Sequence, residues 1–176
     1  MTSRMWLAAA AACSLMIPAT AASAASTVVT TAMLGSRIIA LHNQVRWAAG
    51  VRPVIWDRAL AAAADAYAAR LASSGRWGHS PQSQRPGQGE NLWMGTHGAF
   101  SVDQMVASWS SERRLFRSGD FPWVSKSGSW GDVGHYTQMI WPGSTRVGCA
   151  VRSSASYDYM VCRYSPGGNV IGSRVP

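Results

Sequence analysis

Lysine occurs once and phenylalanine three times in a chain of 176 residues, against fifteen arginines and nine tryptophans. Acidic residues are half as numerous as basic ones, eight against sixteen. The arginines are scattered, and no nucleic-acid motif accompanies them, so nothing points to a nucleic-acid partner. The excess positive charge serves solubility, or contact with anionic lipid heads or cell-wall polymers. Charged residues make up 14% of the chain and hydrophobic ones 47%, which excludes a disordered polymer. There is no H-E-x-x-H pair, no G-x-S-x-G elbow and no P-loop, so the common signatures of zinc peptidases, serine hydrolases and nucleotide hydrolases are missing. No internal repeat occurs, and no apolar run is long enough for a stable membrane anchor.

The N-terminal stretch MTSRMWLAAAAACSLMIPATAASAAS is read as an export signal. It has one positive charge, Arg4, an apolar run from Met5 to about Ala19, and A-x-A sites ending at Ala21 and Ala24. The reading is a signal peptide over residues 1–24, a short linker over 25–36, and a single domain over 37–176. A lipoprotein anchor at Cys13 is a weaker alternative. The bias to alanine and arginine suggests a bacterial source, with the protein extracellular, or periplasmic in a double-membrane bacterium. Loss of the leader removes Arg4 and Cys13, leaving fifteen basic and eight acidic residues, a net charge of +7. The two remaining cysteines, Cys149 and Cys162, are predicted to form a disulfide worth about 3 kcal/mol for so short a loop.

Along the mature chain, Ile38, Leu41, Val45 and Ala48 recur at helical spacing, ended by Gly50. His42 and Arg46 border that face, His42 as a structural histidine. Asp57 caps a second helix running to about Ser74, with Leu60, Ala64, Tyr67 and Leu71 as its apolar stripe. Residues 75–98, rich in Gly, Pro, Gln and Ser, read as a long functional loop in which His97 is exposed. Ser101 caps a third helix with Val102, Met105, Val106 and Trp109 on one face. HYTQMIW reads as a short fourth helix stopped by Pro142. TRVGCAV and YDYMVCRY read as neighbouring strands, and SPGGNVIG as a turn with a final short strand. Helices first and strands last favour an α+β layered domain over a doubly wound sheet.

Four ionisable residues have apolar neighbours that a bland surface would not supply: His79, Glu90, Glu112 and His135. Glu112 extends the stripe of the third helix, and carboxylates are rarely buried without a partner. Two imidazoles and two carboxylates have the chemistry to hold a divalent ion. Their separations in sequence leave two readings open, one shared site or four separately satisfied groups. Ser80, beside His79, is a weak candidate nucleophile. The tryptophans Trp47, Trp77, Trp93, Trp123 and Trp130 serve either packing or an aromatic lining for an apolar ligand.

GHYTQMIWPGSTRVGCA resembles the first signature of the CAP superfamily (cysteine-rich secretory proteins, antigen 5 and pathogenesis-related class 1 proteins, the SCP domain), and YMVCRYSPGGNV resembles the second. HNQVR, PVIWD and GENLW resemble the family's first-helix, connector and glutamate motifs, so the likeness runs from about Arg37 to Ile171. The resemblance implies a three-layer α-β-α sandwich with a central antiparallel sheet. It also implies a cleft tetrad of His79, Glu90, Glu112 and His135, in which His79 and His135 hold zinc or another divalent cation. Tyr136 and Gln138 would shape that cleft. The cysteine-rich extension that gives some members ion-channel activity is absent from this sequence.

Three functions follow as expectations. The first is a secreted, monomeric, non-enzymatic binding module for lipid, sterol-like or cell-envelope ligands, as the resemblance implies. The second is a metal-dependent hydrolase with Glu90 or Glu112 as general base. The third is a cell-envelope scaffold whose tetrad only holds loops together.

Overall fold

The structure, a computed structural model, describes the backbone of residues 20–176 and side chains from residue 33 onward. Most of the expected signal peptide, including Cys13, lies outside the described residues. Helix α1 (Thr20–Ala48) runs without a break through residues 25–36, the stretch read as a linker. That stretch has no proline, and its one glycine, Gly35, packs closely on the Trp56 ring. Strand β1 (Ile55–Trp56) leads into α2 (Arg58–Ser74), where the Asp57 side chain accepts hydrogen bonds from Ala59 N and Leu60 N. Gly75, left-handed at φ 65°, closes α2.

Strand β2 (Gly89–Thr96) follows, then α3 (Val102–Ser110), opened by a Ser101–Gln104 capping box and extended by a 3₁₀ turn over Ser111–Leu115. After β3 (Gly119–Asp120) come α4 (Gly134–Met139), β4 (Arg146–Ser153), β5 (Tyr157–Ser165) and β6 (Arg174–Val175).

The main sheet has the order β1-β4-β5-β2 and is mixed. Its three long strands are antiparallel as expected, and β1 adds a two-residue parallel pairing to β4. β2 lies within the stretch read as an irregular loop: Glu90 and Asn91 conceal the apolar alternation at the strand's start. The expected final strand in SPGGNVIG is not there; the chain pairs instead at β6, with β3.

Strand alternation sends side chains to two cores, which makes the domain a sandwich. On one face Leu92, Ala150, Tyr159 and Val161 pack on Ala64, Tyr67, Ala68 and Leu71 of α2. On the other, Val147, Met160 and Tyr164 pack on Ile38 of α1 and Met105, Val106 and Trp109 of α3. Cys149 and Cys162 face each other across β4 and β5 and are disulfide-bonded. Gly148 is required by close approach, because a Cβ there would overlap the backbone of Asp57 and Ala61. A third cluster, with Phe121, Val124, Val133, Ile140, Trp141 and Val175, holds the 116–141 segment and the C-terminal strand together.

Arg46 sits at the join between α1 and that third cluster. It is 1% exposed and has no carboxylate partner among the described residues. Its guanidinium donates to the carbonyls of Arg52, Met139, Trp141 and Ser144 at 2.6–3.0 Å. Burial pushes its pKa down to about 10, so it stays charged at neutral pH. Arg46→Met removes the donors of four carbonyls and should cost at least about 3 kcal/mol in urea unfolding. A loss below about 1 kcal/mol would show that the arginine is dispensable.

Candidate functional site

Glu90 begins the site from one side of β2. Its side chain is fully buried toward α2. Oε1 accepts from Ser80 N at 2.9 Å and faces His79 Nδ1 at 2.8 Å. Oε2 accepts from the Ser80 hydroxyl at 3.0 Å and lies 2.9 Å from Arg163 Nε. Arg163 Nη2 also donates to Ser80 Oγ, and its guanidinium stands over the Tyr67 ring. The Arg163 Nε contact is an ion pair outside good hydrogen-bond alignment, since that nitrogen is buried without a hydrogen-bond partner. Burial pushes the Glu90 carboxyl up, but bonds from His79 and Ser80 and the charge of Arg163 hold it below its usual range. Burial lowers the Arg163 pKa more than Glu90 raises it. The Ser80 hydroxyl is thus tied to Glu90 and Arg163, and His79 turns its Nδ1 to the carboxylate.

The next residue on β2, Asn91, projects to the opposite face. Its Nδ2 donates to the His135 carbonyl at 3.1 Å and to the Tyr164 hydroxyl at 3.2 Å. Glu112, in the 3₁₀ turn after α3, reaches across to the start of α4. Its Oε2 accepts from His135 N and Tyr136 N at 3.0 Å each, and its Oε1 lies 2.6 Å from His135 Nδ1. The carboxylate therefore satisfies amides of α4 that have no partner within the helix. The imidazole of His135 also stacks on Trp109, whose Nε1 donates to Leu92 O.

The four sequence-predicted residues thus form two carboxylate–imidazole pairs about the start of one edge strand. Among the described residues, no group of three or more His, Cys, Asp or Glu side chains is placed to hold a metal ion. The donor chemistry nonetheless suits a cation: each Nδ1 faces a carboxylate, which leaves Nε2 as the free ring nitrogen. Of the expected cleft-shaping residues, Gln138 is buried; it accepts from Gly168 N in the C-terminal segment and donates to Ser144 Oγ in the turn before β4. Tyr136 lines a groove of about 330 Å³ between α1 and α3, together with Leu41, Val45, Ala48, Val106 and Ala107. Asp103 and Arg113 also line it. Asp103 is paired bidentately with Arg37 at 2.6 Å, while Arg113 is exposed.

His42 and Tyr164 extend the site inward. The ring accepts the Tyr164 hydroxyl at Nε2 (2.8 Å) and donates from Nδ1 to Ile38 O (2.9 Å). His42, Tyr164, Asn91 and the His135 carbonyl form a continuous polar chain from α1 to α4. His97 is exposed as expected, and its Nδ1 lies 2.7 Å from Asp158.

Residues 39–164 match the cysteine-rich secretory protein family, CAP, and the chain belongs to that family. It is 38% identical over 134 residues to the PR-1 type pathogenesis-related protein of Sambucus nigra, covering 76% of each chain. It is 39% identical over 133 residues to pathogenesis-related protein 1C of Nicotiana tabacum, covering 74% of each. Its fold is similar to the crystal structure of NaASP2 with Zn2+, at a TM-score of 0.67 and 24% identity, covering 80% of this chain and 83% of that one. It is also similar to venom allergen-like protein 4 of Schistosoma mansoni, at a TM-score of 0.60 and 19% identity, covering 81% and 95%.

Burial depresses the His42 pKa to about 4 from 6.5. Between those values the unfolded chain binds a proton that the folded chain excludes, so stability falls as pH falls. About 3 kcal/mol should be lost between pH 7 and pH 4, and His42→Gln should flatten that slope. Glu90 acts lower: its contribution is present above about pH 4.3 and vanishes as pH drops through its depressed pKa. Glu90→Gln strands the buried Arg163 and should cost about 3–5 kcal/mol at neutral pH. Thermal melts from pH 3 to 8 separate the two windows, and equal slopes in native and His42→Gln proteins would contradict the assignment.

Proposed function

We propose that this protein is a secreted, non-enzymatic binding module that takes a long-chain carboxylate, such as a fatty acid, into the groove between α1 and α3. The groove carries this reading: its floor is apolar and its exposed charge is unbalanced. Asp103 is neutralised by Arg37, which leaves Arg113 to face an anionic head group. Arg113 and Tyr136 line the same groove, so head and chain positions adjoin. Membership of a secretory family supports export.

The arrangement of the carboxylates argues against hydrolysis. A general base needs a lone pair within reach of a water or substrate proton. Glu90 has four close protein contacts across its two oxygens, and Glu112 has three. Both are committed to holding histidines and backbone.

Divalent-ion binding is a secondary part of the proposal, supported by the orientation of the two imidazoles and by the zinc in the NaASP2 structure. Nε2 of His79 and of His135 would be the ligating atoms, with Glu90 and Glu112 behind them. Two nitrogens fall short of the three or four protein ligands of strong zinc sites, so affinity is weak.

Each methylene buried is worth about 0.8 kcal/mol, so affinity should rise about fourfold per added carbon until the groove is filled. Titration with decanoate, laurate and palmitate should show that trend. Ala107→Trp, placed at an exposed groove position, should weaken binding about tenfold or more. No binding, or binding indifferent to chain length and to Ala107→Trp, would refute the reading. Calorimetry of chelator-treated protein with zinc should give weak binding, lost in His79→Ala and His135→Ala. No heat, or heat that survives both changes, would remove the ion from the account.

A further inference from the structure

An exposed apolar surface lies outside the groove and the two pairs. Trp123, Trp130, Val170 and Ile171 are 72%, 50%, 51% and 79% exposed, an unusual concentration of large apolar side chains. They belong to two segments distant in sequence that are joined at one buried residue, Phe121. The Trp130 ring packs edge-on against the Phe121 ring at 5.4 Å. The backbone of Phe121 bonds both Gly172 N and Ser173 O, which fixes Val170 and Ile171 beside it. Trp123 follows two residues later, its amide bonded to Asp120 O in the turn. The apolar residues are therefore held out by a rigid support.

The same surface is basic. From Arg114 to Asp132, with Arg174 included, there are four cations and two carboxylates, a net charge of +2. Arg117 donates from Nε to Trp123 O, so a guanidinium stands beside the most exposed of these tryptophans. Asp120 lies 3.9 Å from Arg174, and Asp132 accepts the Ser127 hydroxyl.

We propose that this face docks on a lipid bilayer with anionic head groups. Tryptophan is favoured at the membrane–water boundary, where its ring is apolar and its N–H reaches water. The aliphatic pair enters the acyl region, and arginines meet lipid phosphates at about 1 kcal/mol per cation near the surface. Tryptophans alone would equally fit stacking on a polysaccharide. Val170 and Ile171 gain little against a sugar and much in hydrocarbon, which decides for the bilayer. The proposal is independent of groove occupancy.

The test is co-sedimentation with vesicles of phosphatidylcholine, and of phosphatidylcholine mixed equally with phosphatidylglycerol. The native protein should bind the anionic vesicles at least about tenfold more tightly, with weakening as salt rises. Tryptophan emission should shift to the blue and be quenched by brominated acyl chains. Trp123→Ser combined with Ile171→Ser should reduce partitioning about tenfold or more, with an unchanged near-ultraviolet circular dichroism spectrum. Arg117→Glu should reduce it with a shallower salt dependence. No vesicle binding, binding unchanged in the Trp123/Ile171 variant, or retention only on soluble cell-wall polysaccharide would overturn the proposal.

Discussion

A buried cation with no counter-ion among the described residues sets the frame of this molecule. Arg46 is surrounded by four backbone carbonyls from three places in the chain, the connector after α1, the end of α4 and the turn before β4. Burying a guanidinium is costly unless every donor finds a partner. That requirement fixes the end of α4 against α1. Because His135 lies in the first turn of α4, the same constraint sets where one of the two imidazoles can stand. The chain from His42 through Tyr164 and Asn91 to the His135 carbonyl acts from the other end. Between them, a six-residue helix too short to be stable alone is held firmly.

Polar groups near the site serve mainly to position one another. Glu112 accepts from two amides and faces an imidazole; Glu90 binds Ser80 and faces His79 and Arg163. Such networks confer one geometry when every member is satisfied and become a liability when one is lost. The groove between α1 and α3 is of another kind, apolar within and carrying at its edge an arginine, Arg113, that has no carboxylate partner among the described residues. Recognition of an apolar ligand needs little more.

Much of this was legible in the sequence. The apolar spacing of α2 and α3, the caps at Asp57 and Ser101, the pairing of Cys149 with Cys162 and the singling out of His79, Glu90, Glu112 and His135 all rested on local pattern. Resemblance to the CAP family supplied the sandwich. The pattern failed where long-range pairing decides. β2 read as loop because Glu90 and Asn91 are polar, and their partners lie far along the chain or across the sheet. Arg46 looked like a helix-border charge, since nothing nearby in sequence announces four distant carbonyls. Arg163 carried a usable signal: an arginine within an apolar strand implies a buried acid, and Glu90 is that acid. The pairing of His79 with Glu90 and of His135 with Glu112 joins a loop to β2 and the turn after α3 to the start of α4. Spacing could not resolve that.

The central claim is that ligand recognition occurs in the α1–α3 groove, while the carboxylate–imidazole pairs hold structure. The most direct measurement is residue-resolved nuclear magnetic resonance during titration with palmitate. The account predicts perturbations concentrated at Leu41, Val45, Val106, Ala107 and Tyr136, with the His79 and Glu90 signals little changed. Perturbations centred on His79 and Glu90, with the groove silent, would contradict it.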